Sequence, residues 1–126
     1  MKLRIKGSSL RLRLTKGEVE QLAANGEVEE RVQFVNTALR YRLKRDAAAT
    51  AISAGYVGNI IEVRIPDKVA RDWSGNNEVT LANSQTVPGT ELSIVIEKDF
   101  ACLAPRAGED ESDNFPHPAD GTGKTC

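Results

Sequence analysis

Apolar and charged residues alternate in several short runs of this chain, and this period of two limits its fold more than any other feature. In the first run Leu3 and Ile5 alternate with basic residues, and in the second Leu10, Leu12 and Leu14 do the same. Successive side chains of a strand point to opposite faces of a sheet. The pattern therefore predicts strands with one buried face and one charged face.

Turn residues separate these runs and divide the chain into eight short predicted strands and two helices. The strands are expected near residues 2–6, 9–14, 27–34, 38–44, 51–56, 60–65, 78–82 and 91–97. The helices are expected near residues 16–24 and 67–73. Short sequential strands joined by tight turns indicate an α+β fold with seven or eight strands, as a curled, mostly antiparallel sheet or a partly open β-barrel. No internal repeat of useful length is visible.

Both predicted helices carry boundary signals. Thr15 and Glu18 fit a capping box, in which each side chain accepts a hydrogen bond from the other residue's backbone N–H. Gly26 can take the left-handed conformation that ends a helix, and Pro66 suits the start of the second helix. Trp73, at helical spacing from other apolar residues, is predicted to anchor the core.

The densest apolar run, Leu92–Ile96, predicts the central and last strand of the fold. Beyond it the chain becomes acidic and proline-containing. A chain of 126 residues is long enough for one domain with its own core. We therefore expect one α+β domain over residues 1–104, and an acidic tail over residues 105–126 that packs partly on the domain through Phe115.

Charge nearly cancels over the chain but is unevenly distributed. Residues 1–48 carry 11 basic and 6 acidic side chains, whereas residues 99–126 carry 2 and 6. The first residues contain no apolar run of signal-peptide length, and no window is long and apolar enough to span a membrane. Cys102 and Cys126 form no disulfide framework. We expect a cytoplasmic protein without membrane association, and the oligomeric state stays open.

Three segments together resemble a known family. They are Met1–Thr15 (MKLRIKGSSLRLRLT), Glu97–Leu103 (EKDFACL) and Gly108–Pro118 (GEDESDNFPHP). They are similar to a family of small uncharacterised bacterial proteins, and the resemblance covers nearly the whole chain. It implies a small bacterial protein in which the tail is an integral part. It implies no activity and carries over no functional residue.

The basic face of the predicted sheet is the first candidate site. Its proposed anion-binding residues are Arg4, Arg11, Arg13, Arg40 and Arg42. A solvated face with cross-strand ion pairs is the simpler interpretation. Nucleic-acid binding is not expected, because aromatic residues for stacking make up only 5% of the chain. The preferred function is a small non-enzymatic binding or structural module for a protein or a small anionic partner.

A metal-assisted phosphoryl hydrolase acting on polyphosphate or triphosphate is the alternative. It needs a cationic cavity in which Glu62, Glu91 or Glu97 binds Mg²⁺. The pattern is only loosely similar to triphosphate-tunnel enzymes, whose ExExK signature is absent near the start of the chain. The direction of the arginines decides between the two functions: an open face favours binding, and a closed cavity with two carboxylates favours catalysis.

The tail offers a second candidate site. No cofactor is expected, but a divalent metal could be held by Glu109, Asp110, Asp113 and His117, since carboxylates and imidazole are common metal ligands. The spacing matches no zinc motif. The pair Cys102 and His117 could form a nucleophile and base, but a cysteine after an apolar strand is more typical of a core residue.

Overall fold

The computed structural model describes residues 1–100 together with Asp113 and Phe115. Within this part the chain forms two strands, a helix, four strands, a second helix and two final strands. The strands are β1 (Lys2–Ile5), β2 (Ser9–Leu14), β3 (Glu27–Gln33), β4 (Ala38–Asp46), β5 (Ser53–Val57), β6 (Ile60–Pro66), β7 (Thr80–Val87) and β8 (Thr90–Lys98). The helices are α1 (Lys16–Asn25) and α2 (Asp67–Gly75).

The strands form two mixed four-stranded sheets. Sheet A has the order β1-β2-β8-β7 and sheet B the order β3-β4-β6-β5. In each sheet two antiparallel hairpins meet along one parallel pair, β2 with β8 and β4 with β6. The apolar inner faces of both sheets belong to one buried cluster. The two sheets therefore share a single core.

The α+β class is confirmed, but the arrangement of the strands differs from the prediction. The prediction of one curled, mostly antiparallel sheet or a partly open barrel is wrong, because the described strands form two separate sheets without closing into a barrel. Each helix carries the chain from one sheet to the other, α1 from A to B and α2 from B to A. Hairpins that are distant in the sequence are thereby brought side by side, and their contact is parallel.

The predicted local signals are confirmed. Thr15 and Glu18 form the capping box of α1, with N–H to oxygen distances of 2.9 and 3.3 Å. Gly26 ends α1 with φ +85°, a conformation that costs glycine little. Pro66 immediately precedes α2, and Trp73 is 1% exposed in the core. Local sequence therefore determines where both helices begin and where α1 ends, whereas β7 (Thr80–Val87) begins later and extends further than the strand predicted near residues 78–82.

The two halves of the chain repeat one ββαββ unit. Leu3 lies opposite Leu12 in the first hairpin, as Ala54 lies opposite Val63 in the third. Exchanging the two halves converts the strand order of sheet A into that of sheet B. The sequence shows no repeat because equivalent positions keep only their apolar or polar character. The structure is thus built on an internal two-fold repeat.

Each repeat ends with a basic residue that reaches back to its own helix. The Nε of Arg45 donates to the Leu22 carbonyl at 3.2 Å, near the C-terminus of α1. The Nζ of Lys98 donates to the Asn76 carbonyl at 2.7 Å, at the C-terminus of α2. Cations are favoured there because the last carbonyls of a helix are unpaired and partially negative.

The two described residues of the tail segment both contact the rest of the fold. The Asp113 carbonyl accepts from the Lys16 N–H at 2.9 Å. The Phe115 N–H donates to the Asp99 carbonyl at 2.8 Å, and the Phe115 ring packs against the core. The division into a domain over 1–104 and a tail over 105–126 stays a prediction.

Candidate anion-binding site

The five predicted anion-binding arginines lie on the outer faces of two different sheets. Arg4, Arg11 and Arg13 lie on sheet A, where their neighbours Leu12 and Leu14 point into the core. The other two, Arg40 and Arg42, lie on sheet B. The structure therefore brings three of the five together and separates them from the remaining two. All five belong to outer faces, the arrangement that favours binding.

A small basic pocket lies on the outer face of sheet A. It has a volume of about 220 Å³ and is lined by Arg4, Lys6, Ser9 and Arg11. Its floor is the first hairpin, where Lys6 and Ser9 close the turn with a backbone hydrogen bond of 3.2 Å and a Ser9 Oγ to Lys6 carbonyl bond of 2.6 Å. Gly7 takes φ +55° in this turn. We call these four residues the basic pocket.

Like charges face each other in the basic pocket. Arg4 lies directly opposite Arg11 in the register of the hairpin, and like charges at such positions repel. Arg11 approaches Glu97 at 3.7 Å, but this carboxylate is held more closely by Arg13, at 2.5 Å. Arg4 and Lys6 have no ion pair with any side chain of residues 1–100, Asp113 or Phe115. The pocket can therefore accept a negative charge from outside the described chain.

The basic pocket was only partly predictable. Arg4 and Arg11 follow from the alternation, since both occupy outward positions of strands. Lys6 belongs to the same alternating run, but its place in a site depends on the turn that follows it. Ser9 gives no signal in the sequence beyond marking that turn. Ser9 is thus the residue of the basic pocket that sequence reasoning missed.

A larger cavity on the outer face of sheet B has its charges already paired. It has a volume of about 560 Å³, with Arg42, Glu62 and Arg64 in its lining. Glu62 accepts from Arg42 at 2.7 Å and from Arg64 at 2.5 Å. Burial opposes ionisation of Glu62, but the hydrogen bonds from Arg64 and Arg42 outweigh it, so its pKa lies below the ordinary value. This cavity therefore offers an anion fewer unpaired positive charges than the smaller basic pocket does.

The remaining arginine, Arg40, and the three carboxylates considered for a hydrolase do not form one site within the described part of the chain. Arg40 lies opposite Arg31 on sheet B. Among the carboxylates considered for a hydrolase, Glu62 lies on sheet B, whereas Glu91 and Glu97 lie on sheet A. They therefore do not share one cationic cavity.

The metal site predicted in the tail is represented by one described residue. The Oδ1 of Asp113 accepts from the Gly17 N–H at 3.2 Å, at the N-terminus of α1. Negative charge is favoured at that end of a helix. Glu109, Asp110 and His117 lie outside the described residues, as does Cys102 of the nucleophile–base pair. Within residues 1–100, Asp113 and Phe115, no three His, Cys, Asp or Glu side chains are grouped to hold a metal.

A family model described as "Family of unknown function (DUF7009)" matches residues 1–119. The chain belongs to this family. The match extends over both repeats and includes the positions of Asp113 and Phe115, so the family includes most of the acidic segment as well as the two sheets. It assigns no activity, and the function is unknown.

No curated protein and no solved structure matches the chain. Among the described residues, neither helix is of the length and hydrophobicity needed to cross a bilayer.

Replacing Glu62 with glutamine should lower the free energy of unfolding at pH 7 by about 1 kcal/mol, because its ion pairs with Arg42 and Arg64 are lost and ion pairs near the protein surface contribute little each. Folding lowers the pKa of Glu62, so its contribution is present above the ordinary value of 4.5 and is lost as the pH falls through the folded value. Urea unfolding of both proteins between pH 7 and 3.5 should show this difference shrinking.

Glu20→Gln on the exposed face of α1 is the matched control, with the same chemical change and an expected effect below about 0.5 kcal/mol. A Glu62→Gln difference that stays constant down to pH 3.5 would contradict the ion-pair explanation.

Proposed function

We propose that this protein is a small bacterial binding module, cytoplasmic and non-enzymatic, that takes a small anionic partner in the basic pocket of sheet A. The bacterial origin rests on the resemblance of the opening and closing segments to a bacterial family. The cytoplasmic location rests on the sequence pattern described above.

One observation carries the proposal. Arg4, Lys6 and Arg11 line one pocket whose lining includes no carboxylate, and two of the three face each other directly. An anion bound between them would remove the repulsion across the hairpin. Guanidinium groups suit phosphate and carboxylate because they donate two parallel hydrogen bonds to such groups.

The pocket also limits what the partner can be. Its volume of about 220 Å³ suits a group the size of a phosphate or a short oligophosphate. The three cations lie on an open sheet face, where salt screens their attraction for an anion. We therefore expect binding that is modest in affinity and that weakens as the ionic strength rises.

Binding is favoured over metal-assisted phosphoryl hydrolysis by the distribution of the carboxylates. Hydrolysis of this kind needs metal ions that bridge the phosphate oxygens next to the cations. Glu97 beside the basic pocket is engaged by Arg13 and Arg11, and Glu62 belongs to the other sheet. These contacts support a partner that is held and not cleaved.

Pyrophosphate should bind the wild-type protein in calorimetry at low salt, and the double variant Arg4→Gln/Arg11→Gln should bind at least tenfold more weakly, a loss of about 1.4 kcal/mol. The reason is that the variant removes both guanidinium groups of the pocket. Binding by the wild type should also fall as NaCl is added.

Arg31→Gln/Arg40→Gln is the matched control, since it removes the same charge from a second cross-strand arginine pair on sheet B. Equal loss in both double variants would show a general charge effect and contradict the assignment to sheet A. Release of orthophosphate from tripolyphosphate with Mg²⁺ or Mn²⁺ would contradict the non-enzymatic function.

A further inference from the structure

All four hairpin turns lie at one end of the molecule, opposite the helices. The parallel pairs bring the starts of β2 and β8 together in sheet A, and the starts of β4 and β6 together in sheet B. The helices begin at the other ends of β2 and β6. We call the part formed by residues 4–10, 31–41, 56–61 and 85–92 the hairpin end.

An apolar cavity that is open to solvent lies between the two sheets at the hairpin end. Its volume is about 480 Å³, and side chains from both sheets line it, chiefly Leu10, Leu39, Tyr56, Ile61, Val87 and Leu92. The helix-side half of the same interface is filled, because the apolar side chains there are fully buried. The interface between the sheets is thus filled by side chains near the helices, and it contains a cavity between the hairpins.

Exposed apolar side chains are concentrated at the same end of the molecule as this cavity. Within the described part of the chain, every exposed large apolar residue belongs to the hairpin end: Ile5, Val32, Phe34, Val35, Tyr56 and Val57. Isolated exposed apolar residues are ordinary on a protein surface, but their concentration at one end marks a binding surface.

The same end carries a positive charge. Its four segments contain four basic residues and one acidic residue, a net of +3, whereas the whole chain has a net charge of −1. The basic residues are Arg4, Lys6, Arg31 and Arg40, and the acidic one is Glu91. A ligand with a negative group is therefore attracted to the end of the molecule at which the apolar cavity lies.

We propose that the hairpin end binds a single aliphatic chain that carries an anionic head group, with the chain inside the cavity and the head attracted by the basic residues of the same end. The lining of the cavity is almost free of hydrogen-bonding side chains. A peptide inserted there would bury backbone N–H and C=O groups without partners, at a high cost. A hydrocarbon chain has no such groups, and the cavity volume lies in the usual range for small-molecule sites.

This site goes beyond the proposed anion pocket because none of the residues that line the cavity belongs to the basic pocket, although Arg4 and Lys6 belong both to that pocket and to the hairpin end. The basic pocket lies on the outer face of sheet A, whereas Leu10 and Leu92 lie on its inner face. Failure of the cavity is still distinguishable from failure of the basic pocket, because pyrophosphate has no apolar part that could enter the cavity.

The test is a chain-length series of octanoate, decanoate and dodecanoate below their micelle concentrations, with affinity measured by displacement of a fluorescent aliphatic probe. Burial of each added methylene should raise the affinity roughly fourfold until the cavity is full. Dodecyltrimethylammonium, which has the same chain and a cationic head, should bind at least tenfold more weakly than dodecanoate. Equal affinity for all three chain lengths, or for both head groups, overturns the proposal.

Two variants that add volume to the cavity lining test whether the aliphatic chain binds there. Ala54→Leu and Ile61→Trp both enlarge side chains that line it, and either variant that keeps the wild-type circular dichroism spectrum should lose at least tenfold in dodecanoate affinity. Val35→Ala is the control, because Val35 is fully exposed at the same end but does not line the cavity. Unchanged affinity in a folded Ala54→Leu variant overturns the assignment.

Sedimentation distinguishes other occupants of the same end. Pelleting with vesicles of anionic phospholipid, without any binding of monomeric dodecanoate, would overturn the proposal in favour of a membrane surface. A stable dimer in the absence of amphiphile, with no dodecanoate binding, would overturn it in favour of a second copy of the chain. A monomer that binds dodecanoate and still binds pyrophosphate after Ala54→Leu supports it.

Discussion

Replacing Trp73 with alanine should lower the free energy of unfolding by about 3–5 kcal/mol, the range for large aromatic residues removed from a core. Trp73 is the largest fully buried side chain of the described structure. It lies on α2, and the Nζ of Lys98 lies 5.4 Å from the centre of its ring. The substitution would leave a cavity in the core where α2 packs on β4 and β6 of sheet B, and remove a cation–π interaction from a buried ammonium group.

Urea unfolding followed by circular dichroism measures this loss as a lower midpoint at an unchanged slope. Trp73→Phe is the matched control. It keeps an aromatic face beside Lys98 and removes a buried Nε1 that has no hydrogen-bond partner among the described residues. We expect it to lose less than half as much as the alanine variant. An alanine variant within about 1 kcal/mol of wild type would show that the helix does not depend on this side chain.

Replacing Phe115 with alanine should lower the free energy of unfolding by about 2 kcal/mol, a value typical of a large apolar side chain that is partly withdrawn from water. The Phe115 ring lies 5.5 Å from the Phe100 ring, centre to centre, and 5.5 Å from the Nζ of Lys98. Lys98 is only 6% exposed, and burial lowers its pKa. Without the Phe115 ring, the ammonium group of Lys98 would be more exposed to water.

Amide hydrogen exchange gives a second measure of the same change. In Phe115→Ala the amides of Asp99 and Phe100 should exchange faster, while those at the centre of sheet B should be affected only as much as global stability requires. Val57→Ala, an exposed residue at the opposite end, serves as the control. Unchanged stability together with unchanged exchange at Asp99 would show that the Phe115 contact does not stabilise the fold.

The elements of the fold were predictable because their signals are local. Alternation identifies β1, β2 and β4, and the capping box of Thr15 and Glu18 positions the start of α1 within one turn. Gly58 and Asn59 both take positive φ, as expected of a two-residue hairpin turn. These features depend on residues near one another in the chain, so the sequence carries them directly.

Pairing between hairpins was not predictable for a physical reason. The alternation shows which side of a strand is apolar. Every described strand has an apolar side, however, and no residue specifies which strand lies beside it. The parallel contact of β2 with β8 depends on α1 and α2 exchanging the chain between sheets. The prediction of one mostly antiparallel sheet followed from treating adjacent hairpins as neighbours.

The candidate site was likewise predictable only in part. The outward direction of Arg4, Arg11 and Arg42 follows from the alternation, whereas their separation onto two sheets does not. The apolar cavity gave no signal at all, because Leu10 and Ile61 look like core residues in the sequence. Whether an inward residue meets a partner or an empty space is decided only when the two sheets pack.

The alternating course of the chain between the two sheets has a consequence for how the protein folds as it is synthesised. Sheet B can form from the middle of the chain, since its hairpins follow one another directly. Sheet A joins the first hairpin of the chain to the last. Its parallel pair, in which Ser9 lies opposite Ser93, can form only after β8 has been synthesised. Contacts between such distant segments slow folding, because a long loop must close before any stabilisation is gained. On the ribosome, the edge of β2 that pairs with β8 therefore stays unpaired until β8 has emerged.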